Sequence, residues 1–115
     1  MRLHEYEGAD IFESMKIPVP RRDVAESAED ATRIAGEIGY PVILKAQVLV
    51  GGRGLAGGIK TAKTPEELED LAGELFGKEI KGLKVRKILV SERAEIAQEL
   101  YIGITIDGYS GRPVV

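Results

Sequence analysis

No cysteine and no tryptophan occur in the 115 residues, and only one histidine, His4, is present. The first absence excludes disulfides and thiolate metal sites; the single imidazole excludes a multi-histidine centre and any triad drawing two imidazoles from this chain. His4, next to Glu5, reads as a structural residue. Aromatic side chains make up 5% of the chain and the formal net charge is −3. Stacking platforms and a basic footprint are therefore both missing, which counts against nucleic-acid binding. No apolar run approaches the roughly 20 residues of a membrane span. The start, Met1-Arg-Leu-His-Glu-Tyr, lacks the apolar centre of a signal peptide, so a cytoplasmic location is expected. What remains is a chain 43% hydrophobic and 30% charged, an ordinary balance for a globular protein. Its length allows one modest core or part of a larger unit.

The most informative stretch runs from Pro41 to about Lys63. Val42, Leu44, Ala46 and Val48 alternate with Ile43, Lys45 and Gln47, so a strand is predicted with one apolar face and with Lys45 leaving from the other. Five glycines follow, Gly51, Gly52, Gly54, Gly57 and Gly58, with Arg53 among them. Glycine lets backbone N–H groups approach an anion without a Cβ in the way, and Arg53 adds a planar cationic fork. Phosphate is the ligand chemistry this suits; a solvated hairpin tip is the alternative. Gly52-x-Gly54-x-x-Gly57 matches the dinucleotide-binding spacing, but that fingerprint needs a helix directly after the glycines. Here a strand-like Gly58-Ile-Lys-Thr follows, and no Gly-Lys-Ser/Thr occurs. The stretch reads as a flap between two strands, with its lysine before the loop, an order that argues against a protein kinase.

Around the hairpin, Leu3 to Lys16 predicts an amphipathic helix through Tyr6, Ala9, Phe12 and Met15, ended by Ile17-Pro-Val-Pro. Arg22 to Ala25 is extended. Ser27, with Asp30 three places on, opens a second helix that Gly39 closes. Thr64-Pro-Glu-Glu opens a third, whose stripe Leu68, Leu71, Ala72, Leu75 and Phe76 belongs to the core, with Gly77 as its cap. Lys78 to Lys84 reads as a solvated basic connector. Val85 to Val90 predicts a strand, Ile96 to Ile106 alternates like another, and Asp107-Gly108 turns toward a returning strand that stops at Val115. The stop in mid-strand points to a fragment cut from a longer protein. The expected fold class is α/β (α+β), with a mainly antiparallel sheet, three helices and a glycine flap that should be the most mobile segment. Apolar surface left bare by a truncation would make self-association unsurprising.

Three features occur in order: the Leu3-His-Glu-Tyr helix, the run Leu44-Lys-Ala-Gln-Val-Leu-Val-Gly-Gly-Arg-Gly-Leu-Ala-Gly-Gly, and Ile88-Leu-Val with Ile96-Ala-Gln-Glu-Leu-Tyr-Ile-Gly. Together they resemble the N-terminal part of the β subunit of ADP-forming succinyl-CoA synthetases (succinate–CoA ligases), which carry an ATP-grasp domain. The resemblance covers essentially the whole chain. It implies a ligase that makes succinyl-CoA, ADP and phosphate from succinate, CoA and ATP through a phosphohistidine on a partner α subunit, so His4 is not the nucleophile and no catalytic residue is expected in this chain. It further implies that Lys45 contacts the nucleotide phosphates, that Gly52, Arg53 and Gly54 cover them, that the backbone from Val90 to Ala94, including Ser91, reads the adenine edge, and that Glu99 contacts the nucleotide through the ribose. Pro20 matches a position linked with ATP over GTP preference. Ser91 departs from the pattern, since relatives usually carry glutamate there, and main-chain recognition is what the resemblance implies at Ser91. The Mg²⁺ ligands of the family are expected beyond Val115. The implied division is an N-terminal helix and linker (1–20), a nucleotide-covering subdomain (21–92) and the start of a second subdomain (93–115). Without Mg²⁺ ligands the chain alone is expected to catalyse nothing and to bind nucleotide weakly. A malate–CoA ligase or ATP-citrate lyase would look the same in this region, and a non-catalytic interaction module is the reading from another class.

Overall fold

A computed structural model describes residues 2–115. The elements are α1 (Glu5–Ser14), β1 (Arg22–Ala25), α2 (Ala28–Ile38), β2 (Val42–Ala46), β3 (Ile59–Ala62), α3 (Pro65–Phe76), β4 (Glu79–Ile80), β5 (Leu83–Lys84), β6 (Ile88–Glu92), β7 (Thr105–Ile106) and β8 (Pro113–Val114). Four of the strands form one sheet in the order β1-β6-β2-β3, with every neighbouring pair antiparallel. The expected mixed fold with an antiparallel sheet and three helices is what the chain forms.

The sheet divides its two faces by the period of two. Val42, Leu44 and Ala46 are fully buried with Ala25, Ala62, Ile88 and Val90, against Ile34 and Ala35 of α2 and Leu68, Ala72 and Leu75 of α3. Ile43 and Lys45 leave from the opposite face and are half-buried. Lys45 lies opposite Leu89 of β6 and Ile59 of β3. The helix starts are capped as the sequence indicates. Ser27 Oγ accepts the N–H of Asp30 at 3.1 Å, and Thr64 Oγ1 accepts that of Glu67 at 3.2 Å. Glu67 returns a bond to the N–H of Lys63 at 2.8 Å. Each such cap contributes about 1 kcal/mol.

Gly77 caps α3 as expected, in a right-handed conformation at φ −78°. Other expectations need correction. The strand expected over Val85 to Val90 is shifted to Ile88–Glu92, because the N–H of Val85 goes to the carbonyl of Lys78 at 3.1 Å. The basic connector is a small hairpin of β4 and β5, turned through Lys81 (φ 50°) and Gly82 (φ 81°), both in the left-handed region that tight hairpins require. It buries Ile80 to 1% exposure. The alternating stretch from Ile96 forms a strand only at Thr105–Ile106, paired with β8; Ile96, Leu100 and Ile102 are 66%, 79% and 77% exposed. Alternation makes a strand only where a neighbour supplies hydrogen bonds and a face supplies cover, and no described residue supplies either to residues 93–104.

The first helix also differs from expectation. It is shorter than Leu3 to Lys16, and none of its residues is buried. Phe12 and Met15 stand 52% and 68% exposed. Polar contacts hold it to the sheet instead: Arg22 of β1, with a side chain only 8% exposed, donates to Asp10 at 2.7 Å and Glu13 at 3.3 Å. Arg22→Ala is expected to release α1 alone. Amide exchange over Glu5–Ser14 should accelerate roughly fivefold, the scale of an ion-pair network of about 1 kcal/mol, while exchange in α2 and α3 stays unchanged. Equal acceleration everywhere would show that Arg22 supports the whole fold instead.

Candidate functional site

Because Leu44 must face the helices, Lys45 is projected onto the other face of the sheet, under the start of α1. Its Nζ donates to Glu5 Oε1 at 2.7 Å. Arg53 reaches the same carboxylate from the flap, with Nη2 to Glu5 Oε2 at 2.7 Å, and its Nη1 is anchored on the carbonyl of Ala46 at 2.9 Å. Two cations from different parts of the hairpin thus converge on one carboxylate. The side chains of Lys45, Arg53 and Glu5 are 26%, 21% and 30% exposed.

The flap has a defined shape. The amide of Gly58 donates to Arg53 O at 2.7 Å, Gly57 to Gly54 O at 3.0 Å and Ala56 to Gly52 O at 3.1 Å. Gly58 is the position where a side chain is least tolerable, since a Cβ there would lie 2.6 Å from Ile80 Cδ1 and 3.1 Å from Arg53 O. The base of the loop is therefore packed on the β4–β5 hairpin at Gly58, while Leu55 at its tip is fully exposed. Among the described residues, the N–H groups of Gly52, Arg53 and Gly54 have no protein acceptor. Three amides without a protein acceptor and two nearby cations are donors suited to an anion.

Two cavities flank the pair. One is an open cleft of 670 Å³ bordered by the cations Arg2, Arg53 and Lys81, by His4 and by Gly51. The other, of 390 Å³, is mainly apolar; it lies between α1 and β6 and is bordered by Phe12, Val19, Pro20, Leu89, Ser91 and Lys45. Glu5 borders both.

The structure therefore brings Lys45, Gly52, Arg53 and Gly54 together, and puts Ser91 and Pro20 in the apolar cavity with Lys45. Ser91 is 4% exposed. Ala94 lies apart, in a recess with Pro41 and Ile43. Glu99 is exposed on the segment after β6, away from both cavities. Glu5 is the residue sequence reasoning missed. The only available signal was an acid in the first turn of a helix whose nearest matching cations are 40 and 48 positions away.

Burial pushes the Glu5 carboxyl up, but the hydrogen bonds and charges of Lys45 and then Arg53 outweigh it and hold it below the ordinary 4.5. A depressed carboxylate stabilises the fold above its unfolded value and loses that contribution as pH falls through its folded one. Docking of α1 should therefore be intact at pH 7 and weaken as pH falls below the ordinary carboxylate range. The check is amide exchange of Glu5–Ser14 against pH, compared with Glu5→Gln; if the substitution leaves the acid-side loosening unchanged, another carboxylate is responsible.

Residues 2–115 match the sequence profile of the ATP-grasp domain family. The chain belongs to the ATP-grasp family. Over 114 residues this ATP-grasp chain is 48% identical to the β subunit of the ADP-forming succinate–CoA ligase of Haloarcula marismortui, covering 99% of this chain and 30% of that protein. It is 48% identical, over 115 residues, to the GDP-forming β subunit from Thermus thermophilus, covering 100% of this chain and 30% of that one. Among solved structures it is similar to the dinucleotide-forming acetyl-coenzyme A synthetase 1 of Ca. Korarchaeum cryptofilum, in complex with coenzyme A, Ca-AMPCP and HgCl+. There the TM-score is 0.82 at 31% identity, over 96% of this chain and 50% of that one. The chain spans about 30% of the length of the curated relatives named here. No helix among the described residues is long and apolar enough to cross a membrane.

Proposed function

We propose that this ATP-grasp chain is the nucleotide-gripping stretch of a succinate–CoA ligase β subunit, working in the cytoplasm with an α subunit that carries the phosphohistidine. The observation that carries the reading is the convergence of Lys45 Nζ and Arg53 Nη2 on one carboxylate, each at 2.7 Å, beside the flap. A protein that brings two cations onto one carboxylate, next to a loop with three unpaired amides, has donors suited to holding a polyphosphate. In this reading Lys45 meets the phosphates as a point charge, Arg53 as a bidentate fork, and the N–H groups of Gly52 to Gly54 cover them. The apolar cavity with Pro20, Leu89 and Ser91 accepts the base, and the backbone from Ser91 to Ala94 supplies its edge contacts. Glu99 reaches the ribose only if the exposed segment after β6 closes over the site. Among the described residues no group of three metal-ligating side chains converges. In this reading the phosphate charge is met here by Lys45 and Arg53, and the magnesium ligands belong to the rest of such an enzyme. Succinate and CoA are taken up by the rest of such an enzyme, and the chain alone is inactive.

An ADP-forming and a GDP-forming relative each match the chain at 48% identity, and in this reading Pro20 is the position that points to ATP. An amide-resolved NMR titration with ATP, repeated with GTP, tests the reading. Shifts should cluster at Lys45, at Gly52 to Gly54 and at Ser91 to Ala94, and be weaker with GTP. Silence at the flap up to millimolar ATP would overturn it for this chain.

A further inference from the structure

Glu5 is placed as no docking residue needs to be. Helix α1 is already tied to the sheet by Arg22 with Asp10 and Glu13, and by the N–H of Tyr6 approaching Gln47 Oε1 at 3.4 Å. Yet Glu5 gives one oxygen to Lys45 and the other to Arg53, each at 2.7 Å, so one side chain occupies both cations of the flap. It also borders both cavities, the apolar one under Phe12 and the cationic one toward Lys81. A nucleotide has a flat, largely apolar base at one end and a run of anionic oxygens at the other. Lying across the two cavities, it passes the point where Glu5 now sits. A carboxylate and a phosphate present two oxygens to these donors in the same way, and two anions cannot share them without strong repulsion.

Resting on the nucleotide reading above, we infer that Glu5 is an internal stand-in for a phosphate: a latch on α1 that holds Lys45 and Arg53 aligned until an incoming polyphosphate displaces it. The latch has two effects. It keeps both cations ordered on the sheet, so the ligand finds them oriented. It also lowers apparent affinity, because the carboxylate must be released before the phosphates bind. Release frees the first turn of α1, which couples occupancy of the flap to the position of that helix.

The test titrates the chain, Glu5→Gln and Glu7→Gln with inorganic tripolyphosphate and, separately, with ATP. Glu7 is the control. It sits in the same turn and accepts the N–H of His4 at 2.7 Å, so its loss loosens the helix start without touching Lys45 or Arg53. Glu5→Gln should bind tripolyphosphate about threefold to tenfold more tightly, the worth of a partly exposed ion pair, whereas Glu7→Gln should match the parent. In the parent, the Glu5 side-chain carboxyl ¹³C resonance should move on saturation as its ion pairs break. Equal or weaker binding by Glu5→Gln, the same gain in Glu7→Gln, or a stationary carboxyl resonance at saturation would each overturn the latch. The ATP arm separates the two readings. ATP binding by the parent, with neither ligand held more tightly by Glu5→Gln, removes the latch and keeps the nucleotide site. A latch response to tripolyphosphate, with the parent holding ATP no more tightly than tripolyphosphate, keeps the latch and removes the base from the site. No response to either ligand in parent or variant removes both.

Discussion

Lys45→Ala combined with Arg53→Ala is expected to abolish nucleotide binding by this chain. Hydrogen bonds to charged groups contribute about 1.5–3 kcal/mol each, so losing both cations should weaken binding by at least about a hundredfold. The flap amides cannot compensate, because neutral donors hold a polyphosphate far less strongly than charge-assisted ones. The core should be unaffected: both side chains lie on the face away from α2 and α3, and Glu5, left without partners, is exposed enough to hydrate. Unchanged far-ultraviolet circular dichroism, with loss of the ATP-induced shifts at Gly52 to Gly54, is the expected pattern. Retention of those shifts in the double variant would place the anion site elsewhere in the chain. The single variants should rank by anchoring. Arg53→Ala also removes the bond that pins the flap to Ala46 O at 2.9 Å, so it should broaden the flap resonances as well as weaken binding, whereas Lys45→Ala should only weaken it.

Leu44→Ala, one position away on the same strand, should do the reverse. Leu44 is fully buried, on a strand paired on both sides, and its neighbours are the side chains of α2, α3 and β6 that cannot all move in to fill the space. Truncation of such a leucine costs about 2–5 kcal/mol. That is a large part of the roughly 5–15 kcal/mol typical of a domain. The urea midpoint should fall markedly, while ATP affinity of the remaining folded fraction stays near that of the parent. Leu71→Ala on α3 is the comparison; this residue is only half-buried, so its cost should be clearly smaller. Similar losses for the two would mean that the core is less closely packed around β2 than the burial indicates. Adjacent residues with opposite phenotypes would display the two faces of one strand.

The parts of the fold that were legible in the sequence are those with local causes. Ser27 and Thr64 announced their helices because a cap is made within three residues. Leu68, Ala72 and Leu75 declared a core face because their spacing repeats every turn, and Lys45 was separated from Leu44 by strand alternation alone. The expectation failed where a segment depends on a distant partner. Ile96 to Ile104 alternates as a strand does, but none of the described residues offers it an edge. Phe12 and Met15 continue an apolar stripe that meets no core. Lys78 to Lys84 reads as solvated because its one buried residue, Ile80, is covered by the core and by Gly58 of the flap, both distant in sequence.

The sequence by itself determined the helices, the two-faced hairpin, the glycine flap and the pair of cations near it, since each follows from spacing within a few residues. Only the tertiary structure decided that the cations meet, that Glu5 lies between them, and that an apolar cavity and a cationic cleft open on either side. Those contacts span 40 and 48 positions. They arise from laying α1 across the open face of the sheet, a juxtaposition that no local periodicity records.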